Sequence, residues 1–292
     1  MKGVKELKRR IKSVQSIKKI TRAMEMVAGT KLRRLQERAL ATRPFAERIE
    51  SMMRQVAARS PENVSPLLAV PEVCEREALV IVGADKGLCG AYNSNLMRFA
   101  LKALQDARAD GVEPNLYIFG RRPQGFFGKL KGVTIKWIHP DPVEKIDYGA
   151  VRRTMESLVK SFLAGEVGRV RVVYTRLKTM TTFQPTTQNL LPITPLDPGS
   201  ESTPNEVDFI LEPSPEILMK SLLPRYLEMQ LYAAVLESLA SEFAARRIAM
   251  KSATDAAQDM LGTLGMAYNK ARQEGITGEL LDIVGGMVVQ EG

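Results

Sequence analysis

The chain has 292 residues, 45% of them hydrophobic and 26% charged, enough to bury a sizeable core in one or two domains and too apolar for a disordered chain. Residues 1–54 hold sixteen Lys/Arg against five Asp/Glu, a net of +11, which leaves the other 26 basic and 28 acidic residues at −2, so the positive charge is local. No run of eighteen apolar residues suggests a transmembrane span, the basic amino-terminal stretch lacks the apolar run of a signal peptide, and Cys74, Cys89 and one histidine leave little for disulfides or a metal site.

A first helix is predicted over roughly 3–58. Stepping by alternating fours and threes from Leu7 gives Ile11, Val14, Lys18, Thr21, Glu25, Ala28, Leu32, Leu35, Ala39, Thr42, Ala46, Ile49, Met53 and Val56, a seam interrupted at Lys18, Thr21, Glu25 and Thr42. Pro44 is expected to bend or loosen it. After the Pro-containing stretch 60–66, strand-like and helix-like segments alternate. Strands are expected near Ala78–Gly83, Asn115–Gly120, Val133–Ile138, Arg169–Leu177, Phe183–Leu191 and Val207–Leu211, with helices near Ser94–Ala109, Gln124–Lys131 and Tyr148–Leu163. That alternation argues an α/β layer with a parallel portion, finished antiparallel by strands that have no helix between them.

The last helix is predicted to begin after Pro213-Ser214-Pro215 and to run to about Val289. Its seam from Leu222 passes through Tyr226, Met229, Ala233, Leu236, Ala240, Phe243, Arg247, Met250, Thr254, Ala257, Leu261, Leu264, Tyr268 and Ala271, and only Arg247 and Thr254 interrupt it. A 3.5-residue repeat keeps one seam against one partner, so the two terminal helices read as an antiparallel two-helix coiled coil. At ~1.5 Å per residue each heptad region is on the order of 75 Å long. The expected layout is a coiled-coil helix over 1–60, a Rossmann-like α/β domain over 75–212, and the second coiled-coil helix over 213–292.

Further apolar residues lie off the seams. Ile17, Ile20, Met24 and Val27 form a second stripe on the first helix, and Ile276, Leu280, Leu281, Ile283, Val284, Met287, Val288 and Val289 an apolar tip on the last. Such surfaces either fold back on the α/β domain or meet a surrounding partner. The alanines from Ala233 to Ala257 keep the last helix thin, as a shaft in a narrow channel requires.

Four segments together resemble one family. They are Ile20-Thr21-Arg22-Ala23-Met24-Glu25-Met26-Val27-Ala28, Asp85-Lys86-Gly87-Leu88-Cys89-Gly90, Ala249-Met250-Lys251-Ser252-Ala253-Thr254-Asp255-Ala256 and Tyr268-Asn269-Lys270-Ala271-Arg272-Gln273. In order and spacing they look like the gamma subunit of the rotary proton-translocating ATP synthase. The resemblance implies a non-catalytic central rotor stalk without a cofactor, peripheral to the cytoplasmic face of a bacterial plasma membrane. Its implied partners are the hexamer of alpha and beta subunits, the epsilon subunit and the ring of c subunits, with no nucleic acid.

By motif correspondence, Arg272 and Gln273 match residues that hydrogen-bond a beta-subunit loop, and Met24 matches the position packed opposite that C-terminal region. Lys8, Arg9, Arg10, Lys12, Lys18, Lys19, Arg22, Arg33 and Arg34 resemble the basic face that meets acidic beta-subunit segments. The sequence departs from the family at the Gly285–Gly292 tip and at Gly275, commonly Ala. The cysteine-bearing insertion of chloroplast relatives is absent, so Cys74 and Cys89 are expected to be small buried residues.

Two rival readings concern other chemistry. Gly83-Ala84-Asp85-Lys86-Gly87 follows a strand, as a phosphate loop would, yet matches neither GxGxxG nor GxxxxGK[ST] and reads as a structural turn. His139, between Ile138 and Pro140, reads as a loop residue rather than a catalyst. The basic helix could bind nucleic acid, but its charges are mixed with a strict apolar seam and lack aromatic companions.

Overall fold

The computed structural model describes residues 2–58, 65–71, 73–179, 181–193 and 214–290. The expected strand at 207–211 and most of the loop around it lie outside the described residues, as do the side chains of the tip from 282 onward. Helix α1 spans Lys2–Ala58 and helix α5 spans Pro215–Gln290, each unbroken through its internal proline, Pro44 and Pro224. Between them come β1 (Arg76–Val82), α2 (Tyr92–Ala109), β2 (Glu113–Phe119), α3 (Arg121–Phe127), β3 (Thr134–Ile138), a 3-10 turn at Val143–Lys145, α4 (Tyr148–Leu163), β4 (Arg169–Thr179) and β5 (Thr182–Leu191). The chain divides into two compact units, one of residues 1–29 with 246–292 and one of residues 30–245, so each long helix is shared between them.

In the larger unit the strands form one sheet in the order β3-β2-β1-β4-β5. The first four are mutually parallel and β5 is antiparallel to β4, the mixed sheet expected from the missing helix between the last two strands. β1 is central, and its uninterrupted run Ala78-Leu79-Val80-Ile81-Val82 is buried throughout, as a parallel strand covered on two faces requires. Leu79, Ile81, Leu116, Ile118 and Val173 pack with Leu96, Ala100 and Leu104 of α2 and Phe127 of α3. The strand order reverses direction after β3. A right-handed crossover therefore puts α4 on the opposite face, where Val151, Met155, Leu158 and Phe162 recur at helical spacing as its buried stripe. Asp147 caps this helix, its carboxylate accepting from Ala150 N at 2.7 Å.

Within this unit α5 crosses the carboxyl ends of β1 and β4. Ser238 Oγ donates to Val82 O at 2.9 Å, and Ser241 Oγ donates to Thr175 O at 2.9 Å. From Leu227 to Arg246 nearly every residue of α5 is buried, so the heptad seam here gives way to burial on several sides, while Ala233 on the seam stays exposed. The small residues Ala234, Ala240, Ala244 and Ala245 are buried in this α/β unit. The thin-shaft reading of the alanines therefore does not apply to these four. Ser and Ala at these places let the helix backbone approach strand ends that larger side chains would hold off.

The smaller unit is an antiparallel helix pair. Thr254 Oγ1 and Thr21 Oγ1 lie 2.8 Å apart, Lys18 Nζ donates to Gln258 Oε1, and Arg247 lies against Gly29. Two of the seam's polar interruptions thus fall at one level and satisfy each other. Met250, Thr254 and Ala257 are buried, and Leu261, Leu264, Tyr268 and Ala271 are half-buried, with more exposed residues between them. The 4-3 repeat read from the sequence is the burial pattern of this segment.

Candidate partner interface

A parallel α/β sheet offers a ligand crevice where its strand order reverses, beside the carboxyl ends of β1 and β4. Here that crevice is filled by the chain itself. Tyr92 OH lies 2.8 Å from Ser238 Oγ and donates to Ser238 O at 3.0 Å, and Ala84, Cys89, Tyr92 and Ala245 pack together with Phe183. Burial, reinforced by Glu242, pushes the Tyr92 phenol far above its ordinary pKa, so it stays a neutral donor.

Next to the plug, the Asp85 carboxylate accepts from Arg121 N at 3.1 Å and Val143 N at 2.8 Å. A phosphate loop would present free backbone N–H groups at such a place, whereas these two are claimed by a carboxylate of the chain. The Gly83–Gly90 turn is thus a structural clamp that ties β1 to the segments after β2 and β3. Replacing Asp85 with Ala should lower unfolding stability by about 2–3 kcal/mol, because two N–H groups lose a charged acceptor. Asp85→Asn keeps an acceptor and should lose less, as urea titration would show.

One stretch of exposed apolar side chains lies on the two long helices of the smaller unit. Ile17, Ile20, Met26 and Val27 are 50–59% exposed, and Met24 and Glu25 are half-buried. On α5, Met260, Met266, Ile276, Leu280 and Leu281 are likewise exposed. Ile248 is exposed as well, so apolar side chains of both helices face water although the seam between them is already satisfied. Met26, Met260 and Met266 were not singled out from the sequence. Their signal was a long apolar side chain off the seam.

Lys8, Arg9, Lys12, Lys19 and Arg34 are exposed. Arg10 pairs with Glu6 at 2.7 Å and Arg33 with Glu37 at 3.1 Å on the helix surface, and Arg22 pairs with the half-buried Glu25 at 3.0 Å. Exposed pairs of this kind hold weakly and exchange partners readily. Lys18 is different, being turned to Gln258 across the seam. Arg33 and Arg34 belong to the larger unit, so the basic set is divided between the two.

Arg272 and Gln273 are exposed, one turn from the half-buried Gly275. Met24 does not stand opposite them. Thr21 meets Thr254 and Lys18 meets Gln258, so in an antiparallel pair Met24 is level with about residue 251, roughly 30 Å of helix short of Arg272. The two sites are separate along the helix pair. Cys89 is buried as expected, but Cys74 is only half-buried.

The sequence profile described as ATP synthase matches residues 3–288. The chain is 39% identical to the ATP synthase gamma chain of Glaesserella parasuis, over 98% of this chain and 99% of that one. It is 36% identical to the gamma chain of Chloroherpeton thalassium, over 98% and 97%. The chain belongs to the ATP synthase gamma-chain family. Its fold is also similar to a chain of the Euglena gracilis mitochondrial ATP synthase, with a TM-score of 0.66 and 16% identity over 99% of this chain and 94% of that one. A chain of the Tetrahymena thermophila mitochondrial ATP synthase central stalk/c-ring structure gives a TM-score of 0.56 at 21% identity, over 80% of this chain and 99% of that one. No described helix is long and apolar enough to cross a membrane.

Proposed function

We propose that this chain is the central rotor stalk of a proton-translocating ATP synthase, coupling rotation of a c ring to ATP synthesis at catalytic sites that belong to beta subunits. In this reading the chain itself is non-catalytic. Its partners are the alpha and beta subunits, the epsilon subunit and the c ring, and it works peripherally at the cytoplasmic face of a bacterial plasma membrane.

The observation that carries the reading is the unequal dressing of the helix pair. Its seam is closed, yet Ile17, Ile20 and Val27 on α1 and Ile276, Leu280 and Leu281 on α5 remain exposed, and α1 also exposes Lys8, Arg9, Lys12 and Lys19. A shaft with different residues on each side cannot touch three equivalent subunits in the same way. Each angle therefore favours a different state at each site, and turning the shaft exchanges those states. Exposed Lys and Arg suit a sliding contact, because screened surface attractions are individually weak and form and break easily.

Arg272 and Gln273 are assigned to a beta-subunit loop, since the planar guanidinium holds an acidic or carbonyl partner with fixed geometry. Met24 and the basic residues Lys8, Arg9, Arg10, Lys12, Lys18, Lys19, Arg22, Arg33 and Arg34 are assigned to the surrounding subunits at other levels. Hexamer reconstituted with Arg272→Ala and Gln273→Ala should lose roughly tenfold or more in steady ATP hydrolysis, the effect of removing a charge-assisted contact of ~1.5–3 kcal/mol from the rate-limiting state. Single-site nucleotide binding should persist. Unchanged turnover and torque would remove these two residues from the interface.

A further inference from the structure

His139 is the only histidine of the chain and Trp137 the only tryptophan. His139 follows β3 directly, its backbone N donating to Ile118 O at 2.9 Å. Its ring is buried, stacked on Phe119 at 5.3 Å between centroids and tilted against Trp137 at 5.5 Å. Neither ring nitrogen has a hydrogen-bond partner among the described residues. A neutral imidazole carries one donor and one acceptor, and the flanking rings of Phe119 and Trp137 give neither a partner in this position.

Beside the ring lies a cavity of about 300 Å³ lined by Tyr117, Trp137, His139, Asp141, Arg153 and Ser157. The segment that starts at His139 is also the connector to α4, and it holds α1 at two places within the larger unit. Lys31 pairs with Glu144, and Arg38 Nη2 donates to Ile146 O at 3.5 Å.

We propose that His139 is an acid-released latch: protonated, its ring leaves the Phe119–Trp137 stack for the adjoining cavity, where Asp141 accepts its proton-bearing nitrogen, and residues 139–147 loosen from α1. Burial lowers the His139 pKa from the ordinary histidine range in the closed position. Asp141, Asp85 and Asp147 act the other way, Arg153 acts with burial, and Tyr117 faces the same cavity as a neutral phenol. The sign follows from linkage. The open ring, paired with Asp141, binds its proton at or above the unperturbed value of about 6.5, and the closed ring only at lower pH. The closed state is therefore fully favoured above the open-ring pKa, and opening rises about tenfold per pH unit as pH falls from there to the closed-state pKa.

The test uses the full chain between about pH 7.5 and 5. The His139 ring proton signals, Trp137 emission and amide exchange of residues 139–147 are followed together, with α2 amides as control. Coincident transitions below the ordinary histidine midpoint are expected, with exchange, corrected for its intrinsic pH dependence, rising about tenfold per unit only in 139–147. His139→Gln should abolish the Trp137 transition, and Asp141→Asn should move it to lower pH. Titration at the ordinary midpoint without faster exchange would overturn the latch. So would a Trp137 transition that survives His139→Gln, or one unmoved by Asp141→Asn. If His139→Gln does not fold, the wild-type coincidence and the Asp141→Asn shift still decide.

Discussion

Replacing Glu77 with alanine is expected to destabilise the α/β unit by about 3 kcal/mol, visible as a lower urea midpoint at unchanged slope. Glu77 has no exposed side-chain surface, and it is the single carboxylate shared by two guanidinium groups. The register pairs Glu77 with Arg169, and Arg171 lies two residues further along β4 on the same face. Arg169 Nε donates to Glu77 Oε2 at 2.7 Å, while Arg171 gives Nε to Oε2 at 2.9 Å and Nη2 to Oε1 at 2.6 Å.

Removing the acid leaves two positive groups facing each other without a counter-ion. The cost stays near the lower end of the range for broken buried pairs, because the arginine side chains retain 30% and 19% exposure and water can reach them. Glu77→Gln, which keeps some of the hydrogen bonds but not the charge, should fall between wild type and alanine. Changing all three residues together to apolar side chains of similar volume should recover most of the loss, since the triad's desolvation penalty disappears with it.

Gly120→Ala is expected to cost roughly 3–4 kcal/mol or to prevent folding of the α/β unit. Two separate effects act at this residue. Its φ of +103° lies where a side chain is strained, and an added Cβ would stand 2.4 Å from Gly83 O, a backbone atom with no freedom to move aside. Gly83 is itself fixed, its N donating to Phe119 O at 2.9 Å, and a Cβ added there would stand 2.7 Å from Pro123 Cγ. The control is Gly132→Ala. There φ is +73° and nothing lies within 4 Å of the added carbon, so only conformational strain of about 1 kcal/mol should appear. Equal losses at the two positions in matched urea titrations would mean that the close approach of Gly120 to Gly83 carries no energy.

The alternating apolar segments made the sheet legible, because β1 and β4 are long β-branched runs and α4 carries an i, i+3, i+4 stripe with an Asp cap. Tyr148–Leu163 was predicted to the residue, and the edge strands to within one or two. The 4-3 repeat was legible as well, but its meaning changed along α5. Between Leu227 and Arg246 the same sequence serves a seam and a sheet end at once, and a one-dimensional period cannot register a second neighbour brought in by tertiary folding.

The pairing of Thr21 with Thr254 was hidden for a related reason. Each threonine alone reads as a defect in its own seam, and only the axial setting of the two helices turns two defects into one hydrogen bond. That setting also separates Met24 from Arg272, which motif matching had placed together. The role of Asp85 could not be read from its turn, because its two N–H partners come from segments 36 and 58 residues away. The isolation of the His139 ring likewise depends on Phe119, which reaches it from the neighbouring strand.

The meeting of Thr21 with Thr254 has a temporal consequence. These residues are 233 positions apart in the chain. At roughly 5–20 residues per second, a ribosome needs some tens of seconds to deliver the second after the first has emerged. For that interval the seam residues of the amino-terminal segment have no native partner to cover them, and the stripe at Ile17, Ile20 and Val27 adds to the exposed apolar surface. Chaperone capture during synthesis would then concentrate on the first thirty residues and end only when the polypeptide is released.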